Sequence, residues 1–162
     1  MSATLASERD IRLVEALYYD YGAAIDEEVE RWPDLFTDDA RYRVTSRENF
    51  DRGLPLAPIY CEGRGMIRDR AFAIEKTAMF APRYLRHIIG NLIVHDEDAN
   101  GDIPAQANYV VLQVLLDRPD ATLHQVGVYH DKFRRTAAGL KLHERRCVYD
   151  NLLVPNALCL PV

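Results

Sequence analysis

YLRHIIGNLIVH (residues 84–95), AQANYVVLQVLL (105–116), TLHQVGVYHDKFRR (122–135) and LKLHERRCVYDN (140–151) are four runs rich in Val, Ile, Leu and Tyr. Branched and aromatic side chains suit the pleated, half-buried surface of a strand. Turn chemistry separates the runs: Asn100-Gly101, then Asp117-Arg118-Pro119-Asp120, then Ala137-Ala138-Gly139. These connections are too short for the crossover that a parallel pair needs, so the runs are expected to pair antiparallel. Gly90 lies inside the first run and is expected to mark a bulge or bend. The second half of the chain thus predicts a long, curved, antiparallel sheet.

The residues before it follow a different period. Ile11, Val14, Tyr18, Tyr21 and Ile25 recur in steps of three and four, which places them on one face of a helix. Ser7-Glu8-Arg9-Asp10 has the spacing of a helix start, with a hydroxyl for an orphan N–H and acids at the positive end. Asp26 is placed to cap a second short helix running to Arg31. Trp32-Pro33 interrupts that helix, because proline pushes the residue before it out of helical geometry. Pro33 then starts a turn that carries Leu35 and Phe36 inward. Residues 40–45 alternate enough for a short strand, and residues 47–58, with Gly53, Pro55 and Pro58, read as a long loop of the kind that forms contact surfaces. A third helix is predicted over residues 65–80, with Ile67, Ala71, Ile74 and Ala78 on one face and Pro82 beyond its end. Helices first and then a sheet make an α+β fold.

The length of 162 residues fits one domain, residues 1–162, and is enough to bury roughly 70% of the unfolded surface. A net charge of −5 argues against a general nucleic-acid binder, which carries a basic excess. Arg134-Arg135 and Arg145-Arg146 read as a solvated or ion-paired strand face. Cys61, Cys147 and Cys159 are odd in number and widely spaced, as expected for reduced thiols in a cytoplasmic protein rather than a disulfide framework. Residues 1–10 lack the basic start and apolar stretch of a signal peptide. No apolar run approaches the ~20 residues that cross a bilayer, so no membrane association is expected.

Five histidines carry the remaining chemistry: His87, His95, His124, His130 and His143. Alternation along a strand puts His87 and His95 on one face, and His124 and His130 on one face, each pair far apart. Neither has the close spacing of a helical metal motif. None of the cysteines begins a C-x-H, so the Cys and His pairs of a Rieske cluster are missing. Gly63-Arg64-Gly65 lacks the third glycine and the Lys-Ser/Thr ending of a phosphate loop. One constellation has catalytic potential. Asn91 lies four residues beyond His87, on the same face by alternation, and an acid such as Asp39 or Glu62 could make His87 a general base. Tyr84 or Tyr129 would then donate to a developing oxyanion. The simpler reading makes His87 and Asn91 hydrogen-bonded polar groups of a partly buried pocket. Residues 152–162, LLVPNALCLPV, have Asn156 as their one polar side chain apart from the thiol of Cys159. Such a tail is expected to pack on its own domain or in a subunit interface, and its two prolines keep it from a regular helix or central strand.

An ordered set of motifs runs nearly the length of the chain. It begins with Ala24-Ile25-Asp26 and Trp32-Pro33-Asp34-Leu35-Phe36-Thr37-Asp38-Asp39-Ala40-Arg41-Tyr42-Arg43-Val44, and continues with Asn49-Phe50, Gly53-Leu54, Asp69-Arg70 and Arg83-Tyr84-Leu85-Arg86-His87. It ends with Tyr129-His130-Asp131-Lys132-Phe133, Leu140-Lys141-Leu142, Arg145-Arg146-Cys147 and the apolar tail. In this the chain resembles the small, β-type subunits of Rieske-type aromatic-ring-hydroxylating dioxygenases. The resemblance implies a cone-like fold of the scytalone dehydratase and nuclear transport factor type, with helices packed on the curved sheet. It also implies a structural subunit that trimerises and holds a catalytic α subunit in an α3β3 complex. The Rieske [2Fe–2S] cluster and the mononuclear non-haem iron would sit in that α subunit, fed by a reductase or ferredoxin, with no cofactor in this chain. Trp32-Pro33 and Asn49-Phe50-Asp51-Arg52-Gly53-Leu54 lean towards the branch that acts on aromatic acids. The fold alone decides no function. An independent lyase or isomerase using His87, Asn91, Tyr84 and Tyr129 is the competing expectation, and residues 47–58 and 152–162 are the expected subunit contacts.

Overall fold

The computed structural model describes residues 6–77, 80–153 and 160–162. In chain order the elements are α1 (Glu8–Glu27), a 3-10 helix (Val29–Leu35), β1 (Phe36–Ser46), α2 (Arg47–Asp51), β2 (Ile59–Glu62), α3 (Gly63–Lys76), β3 (Arg83–Val94), β4 (Asp102–Leu115), β5 (Ala121–Thr136) and β6 (Gly139–Tyr149). The strands form one sheet in the order β2-β1-β6-β5-β4-β3. The four predicted runs pair antiparallel as successive hairpins. β1 joins beside β6 in parallel, since α2, β2, α3 and the hairpins intervene and return the chain in the same direction.

Three slips in register bend the hairpins. β3 slips between Gly90 and Ile93, where Asn91 takes the left-handed φ of 52°. β5 carries an extra residue opposite Val111 and Leu112, and β6 carries one opposite Lys132 and Phe133. Each extra residue kinks its strand and strengthens the twist, which curls the sheet around a helix.

That helix is α1. The Ser7 hydroxyl accepts from the Asp10 N–H at 3.2 Å, and Val14, Leu17, Tyr18, Tyr21, Ala24 and Ile25 face the sheet. Tyr42, Tyr109, Tyr129, Phe133 and Cys147 receive them, all essentially inaccessible. Trp32 packs edge-on against Phe36 and Tyr42 with ring centroids 5.7 and 5.0 Å away. This is an α+β cone with its helices at one end and inside the curl.

Several boundaries differ from the sequence expectation. Asp26 lies inside α1 and caps no second helix, because its carboxylate is taken by β3. Trp32-Pro33 does not interrupt the helical turn: the 3-10 helix runs through Pro33 to Leu35, and the Pro33 carbonyl accepts from the Phe36 N–H. Residues 47–58 are not all loop: Ser46 caps α2 by accepting from the Asn49 N–H. β2 follows, with Ile59 and Cys61 buried and Tyr60 exposed. α3 stops at Lys76 but buries Ile67, Ala71 and Ile74 as expected, and Ala78 lies outside the described residues.

Candidate functional site

The inner face of the sheet holds His87 and Tyr129, two of the four catalytic candidates. Asp26, near the end of α1, takes the His87 backbone N–H at 3.0 Å, and its other oxygen lies 2.6 Å from His87 Nδ1. The carboxylate accepts, so Nδ1 carries the hydrogen of this contact. The His87 side chain is wholly buried, and Nε2 has no partner. His87 lines a crevice of about 360 Å³ between α1 and β3.

The other candidates do not converge on it. The bulge after Gly90 turns Asn91 outward: Leu92 and Val94 take the inward positions and Asn91 is exposed. The expected shared face of His87 and Asn91 is therefore lost, for want of one residue of register. Tyr84 is 60% exposed on the outer face. Tyr129 is inward and buried, but the pairings His87↔Val111 and Tyr129↔Ala107 set it two strands over and four residues along. That is roughly 16 Å between backbones at normal strand spacing. Neither proposed acid reaches His87. Asp39 accepts from the Thr37 hydroxyl at 2.9 Å, which holds its carboxyl below the usual range, and faces Arg134 and His143. Glu62 is exposed at the start of α3.

The other histidines are also re-sorted by bulges. His124 falls at the β5 bulge and is buried on the same side as His87; burial, Arg83 and His87 push it down to about 4. His130 stays outward and stacks on Phe50 at 4.7 Å. His95 joins it on the outer face, in a shallow basin with Gln106 and Lys132. The pairs expected on common faces are thus both split. Among the described residues no three His, Cys, Asp or Glu side chains form a metal-holding group.

The middle of the cone is filled. Arg145 and Asp131, both wholly buried, form a two-point ion pair with N–O distances of 3.0 and 2.5 Å. The Tyr18 hydroxyl donates to the same carboxylate at 2.5 Å. The guanidinium lies 5.0, 3.8 and 4.2 Å from the ring centroids of Tyr18, Tyr21 and Tyr129. Burial alone would disfavour the Arg145 charge, but Asp131, with Tyr21 and Tyr18, more than offsets it and holds the group well above its ordinary range. The expected solvated face at Arg145-Arg146 is therefore half right: Arg145 is core, and Arg146 is outward and paired to Glu144 at 2.5 Å. The end of the tail closes the space. The Val162 main-chain oxygen accepts from Tyr21, Tyr42 and Cys147 at 2.7, 3.2 and 3.3 Å. By contrast Leu152 and Leu153 are 96% and 84% exposed, and residues 154–159, with Asn156 and Cys159, lie outside the described residues.

The outer face carries a larger groove, about 460 Å³, which the sequence reading did not single out. β1 and β6 supply Arg41, Arg43 and Arg146 along its floor, and Asn49, Phe50 and Tyr60 stand around it. The signal was present in the alternation of Arg41-Tyr42-Arg43-Val44, but the parallel partner strand comes from the other end of the chain.

Comparison with known proteins agrees with the architecture. The ring hydroxylating beta subunit family matches residues 23–156. The anthranilate 1,2-dioxygenase small subunit of Burkholderia cepacia is 34% identical over 135 residues, 83% of this chain and 82% of that protein. The beta 2 subunit of the terminal oxygenase component of terephthalate 1,2-dioxygenase from Comamonas is 29% identical over 143 residues, 88% of this chain and 92% of that protein. Among solved structures, a chain described as the β subunit of an aromatic-ring-hydroxylating dioxygenase of Novosphingobium aromaticivorans superposes with a TM-score of 0.85. Its identity is 33%, over 96% of this chain and 98% of that one.

Proposed function

The chain belongs to the ring-hydroxylating β-subunit family, and from that premise we propose that it acts as one domain without chemistry of its own, as the assembly subunit of an oxygenase for aromatic acids. It trimerises and holds three catalytic α subunits in an α3β3 complex. The Rieske cluster and the mononuclear iron reside in the α subunit, where dioxygen is activated with electrons from a reductase or ferredoxin. Relatives named for anthranilate and terephthalate, both ring carboxylates, support the aromatic-acid branch.

The observation that carries this reading is the filled inner face. Where an enzyme of this shape needs room for a reactant, this chain holds the Arg145–Asp131 pair, stacked tyrosines and Val162. The α2 segment and the exposed Leu152-Leu153 offer contact surface instead. Co-expression with the cognate α subunit tests it. Light scattering on the purified material should give the mass of a six-chain complex. A chain that elutes apart from its α subunit as a monomer sinks the proposal.

A second reading, an independent lyase or isomerase, has the Asp26–His87 dyad in its favour. Against it stand the outward Tyr84 and Asn91 and the distance to Tyr129. It requires turnover by the chain alone that His87→Ala abolishes.

A further inference from the structure

The groove on the outer face has a charge arrangement that neither reading uses. In the parallel ladder of β1 and β6, Arg43 lies directly opposite Arg146, and Arg41 opposite Glu144. Like charges facing each other across a ladder repel and cost stability. The counter-charge within reach, Glu144 and the Glu62 that lies opposite Arg41 across the β1–β2 ladder, is two carboxylates against three guanidiniums. Glu144 is engaged by Arg146 Nε. Arg43 Nη2 donates to the Leu54 carbonyl at 2.9 Å, which brings no charge, and Arg43 Nε is buried without a partner. Arg41 forms no ion pair among the described residues. Three guanidiniums and one of the two carboxylates, Glu144, therefore share a concave site in a chain whose net charge is −5. Phe50 and Tyr60 give the same site apolar walls, and its volume of about 460 Å³ is that of a small-ligand pocket.

We infer that this groove is a carboxylate site, taking a carboxylate on a flat apolar body so that its oxygens bridge Arg43 and Arg146. A planar guanidinium fork matches a carboxylate with two parallel hydrogen bonds. The bridging anion removes the Arg–Arg repulsion, and the orphaned Arg43 Nε gains an acceptor. An aromatic acid in solution and an acidic side chain of a partner subunit present the same group, and the assembly reading is needed only for the second source.

The experiment titrates benzoate and its neutral isostere benzamide into the full chain by calorimetry. Benzoate should bind at one site. Benzamide to the wild type, and benzoate to Arg43→Gln, should bind about tenfold more weakly, the loss of one charge-assisted contact. Arg41→Gln, at an exposed position without an ion pair, is the second variant and should also weaken benzoate. Titration of the complex with the α subunit separates the sources. If a partner side chain fills the groove, benzoate binding vanishes on assembly and Arg43→Gln loosens the complex. If the free acid fills it, complex and free chain bind benzoate alike. Failure of the wild-type chain to assemble bears on the assembly reading, while the free-chain titration still decides this one. Equal binding of benzamide, phosphate binding as tight as benzoate, or wild-type affinity in both arginine variants overturns the inference.

Discussion

Replacing Asp131 with alanine leaves the Arg145 guanidinium charged in a site with no access to water. The native contacts are two N–O bonds of 3.0 and 2.5 Å, and the Tyr18 hydroxyl loses its acceptor at the same stroke. Removing one member of a buried pair costs about 3–5 kcal/mol. Three aromatic rings stay on the cation at 3.8 to 5.0 Å and go on stabilising it. They place the expected loss at the lower end, about 3 kcal/mol. Urea denaturation followed by the fluorescence of Trp32, the one tryptophan and fully buried, reads this directly. With a slope of about 2 kcal/mol per molar urea, the midpoint should fall by about 1.5 M. The double change Asp131→Leu with Arg145→Met removes both charges and should recover most of the loss, because well-packed apolar replacements of a buried pair are often neutral. A midpoint shift below about 0.5 M for Asp131→Ala refutes the reasoning. So does a double variant no better than the single one.

Three further outcomes follow from the same geometry. His124 is lowered to about 4 by burial, then by Arg83 and His87, so the unfolded chain binds the extra proton between pH 6.5 and 4. Stability should therefore be complete above pH 6.5 and fall by up to about 3 kcal/mol towards pH 4, with a smaller fall in His124→Gln, checked by denaturation midpoints across that range. In Tyr42→Phe the Val162 oxygen loses one of its three donors, at 3.2 Å, and the Val162 N–H loses its acceptor at 3.0 Å, for a loss of about 1–2 kcal/mol in the same assay. A Cβ at Gly127 would lie 2.1 Å from the Val148 carbonyl oxygen and 2.8 Å from the Tyr109 hydroxyl. Gly127→Ala must push β5 from β6 and should cost about 3 kcal/mol or more, seen as a lowered melting temperature or insoluble protein.

Much of the fold could be read from local pattern. The helical spacing of α1, the Ser7 cap and the four long strands each depend on neighbours in sequence, and all appear where expected. β2 escaped because four residues, two of them buried, give too short an alternation to rise above the loop around it. The site fared worse for a specific reason. Strand faces repeat every two residues, so a single inserted residue exchanges inside for outside. Gly90 announced a bulge, yet carrying alternation past it still put Asn91 with His87. The same error paired His124 with His130. Asp26 was legible as a carboxylate near a helix end, but its partner lies 61 residues away and no local spacing encodes that contact. Arg145 and Arg146 are chemically alike in sequence, and only the register that sets Arg145 beside inward Tyr42 and Arg146 beside outward Arg43 separates the buried one from the exposed one.

The distribution of uncompensated charge argues for where this chain meets other molecules. On the inner face the carboxylates and two of the hydroxyls are paired within the chain: Asp26 with His87, Asp131 with Arg145 and Tyr18, and the hydroxyls of Tyr21 and Tyr42 with Val162. Trp32 Nε1, His87 Nε2, His124 Nδ1, Gln125 Nε2, Arg145 Nη1 and the Tyr129 hydroxyl have no hydrogen-bond partner there, but His87 and Tyr129, the two with a proposed catalytic role, stand too far apart to grip one reacting group. A catalytic site needs its acid, base and oxyanion donors within contact of one substrate. On the outer face the imbalance is of the opposite kind. Arg41, Arg43 and Arg146 are adjacent, under-compensated and open, which suits recognition of a charged partner and supplies no proton transfer near neutral pH, since a guanidinium does not give up its proton there. Substitutions on the two faces should therefore separate: inner-face changes such as Asp131→Ala lower the stability of the isolated chain, whereas Arg43→Gln leaves its denaturation midpoint nearly unchanged and acts on binding. An Arg43→Gln chain destabilised as much as Asp131→Ala would show that the groove is a structural ion cluster and not a surface kept for a ligand.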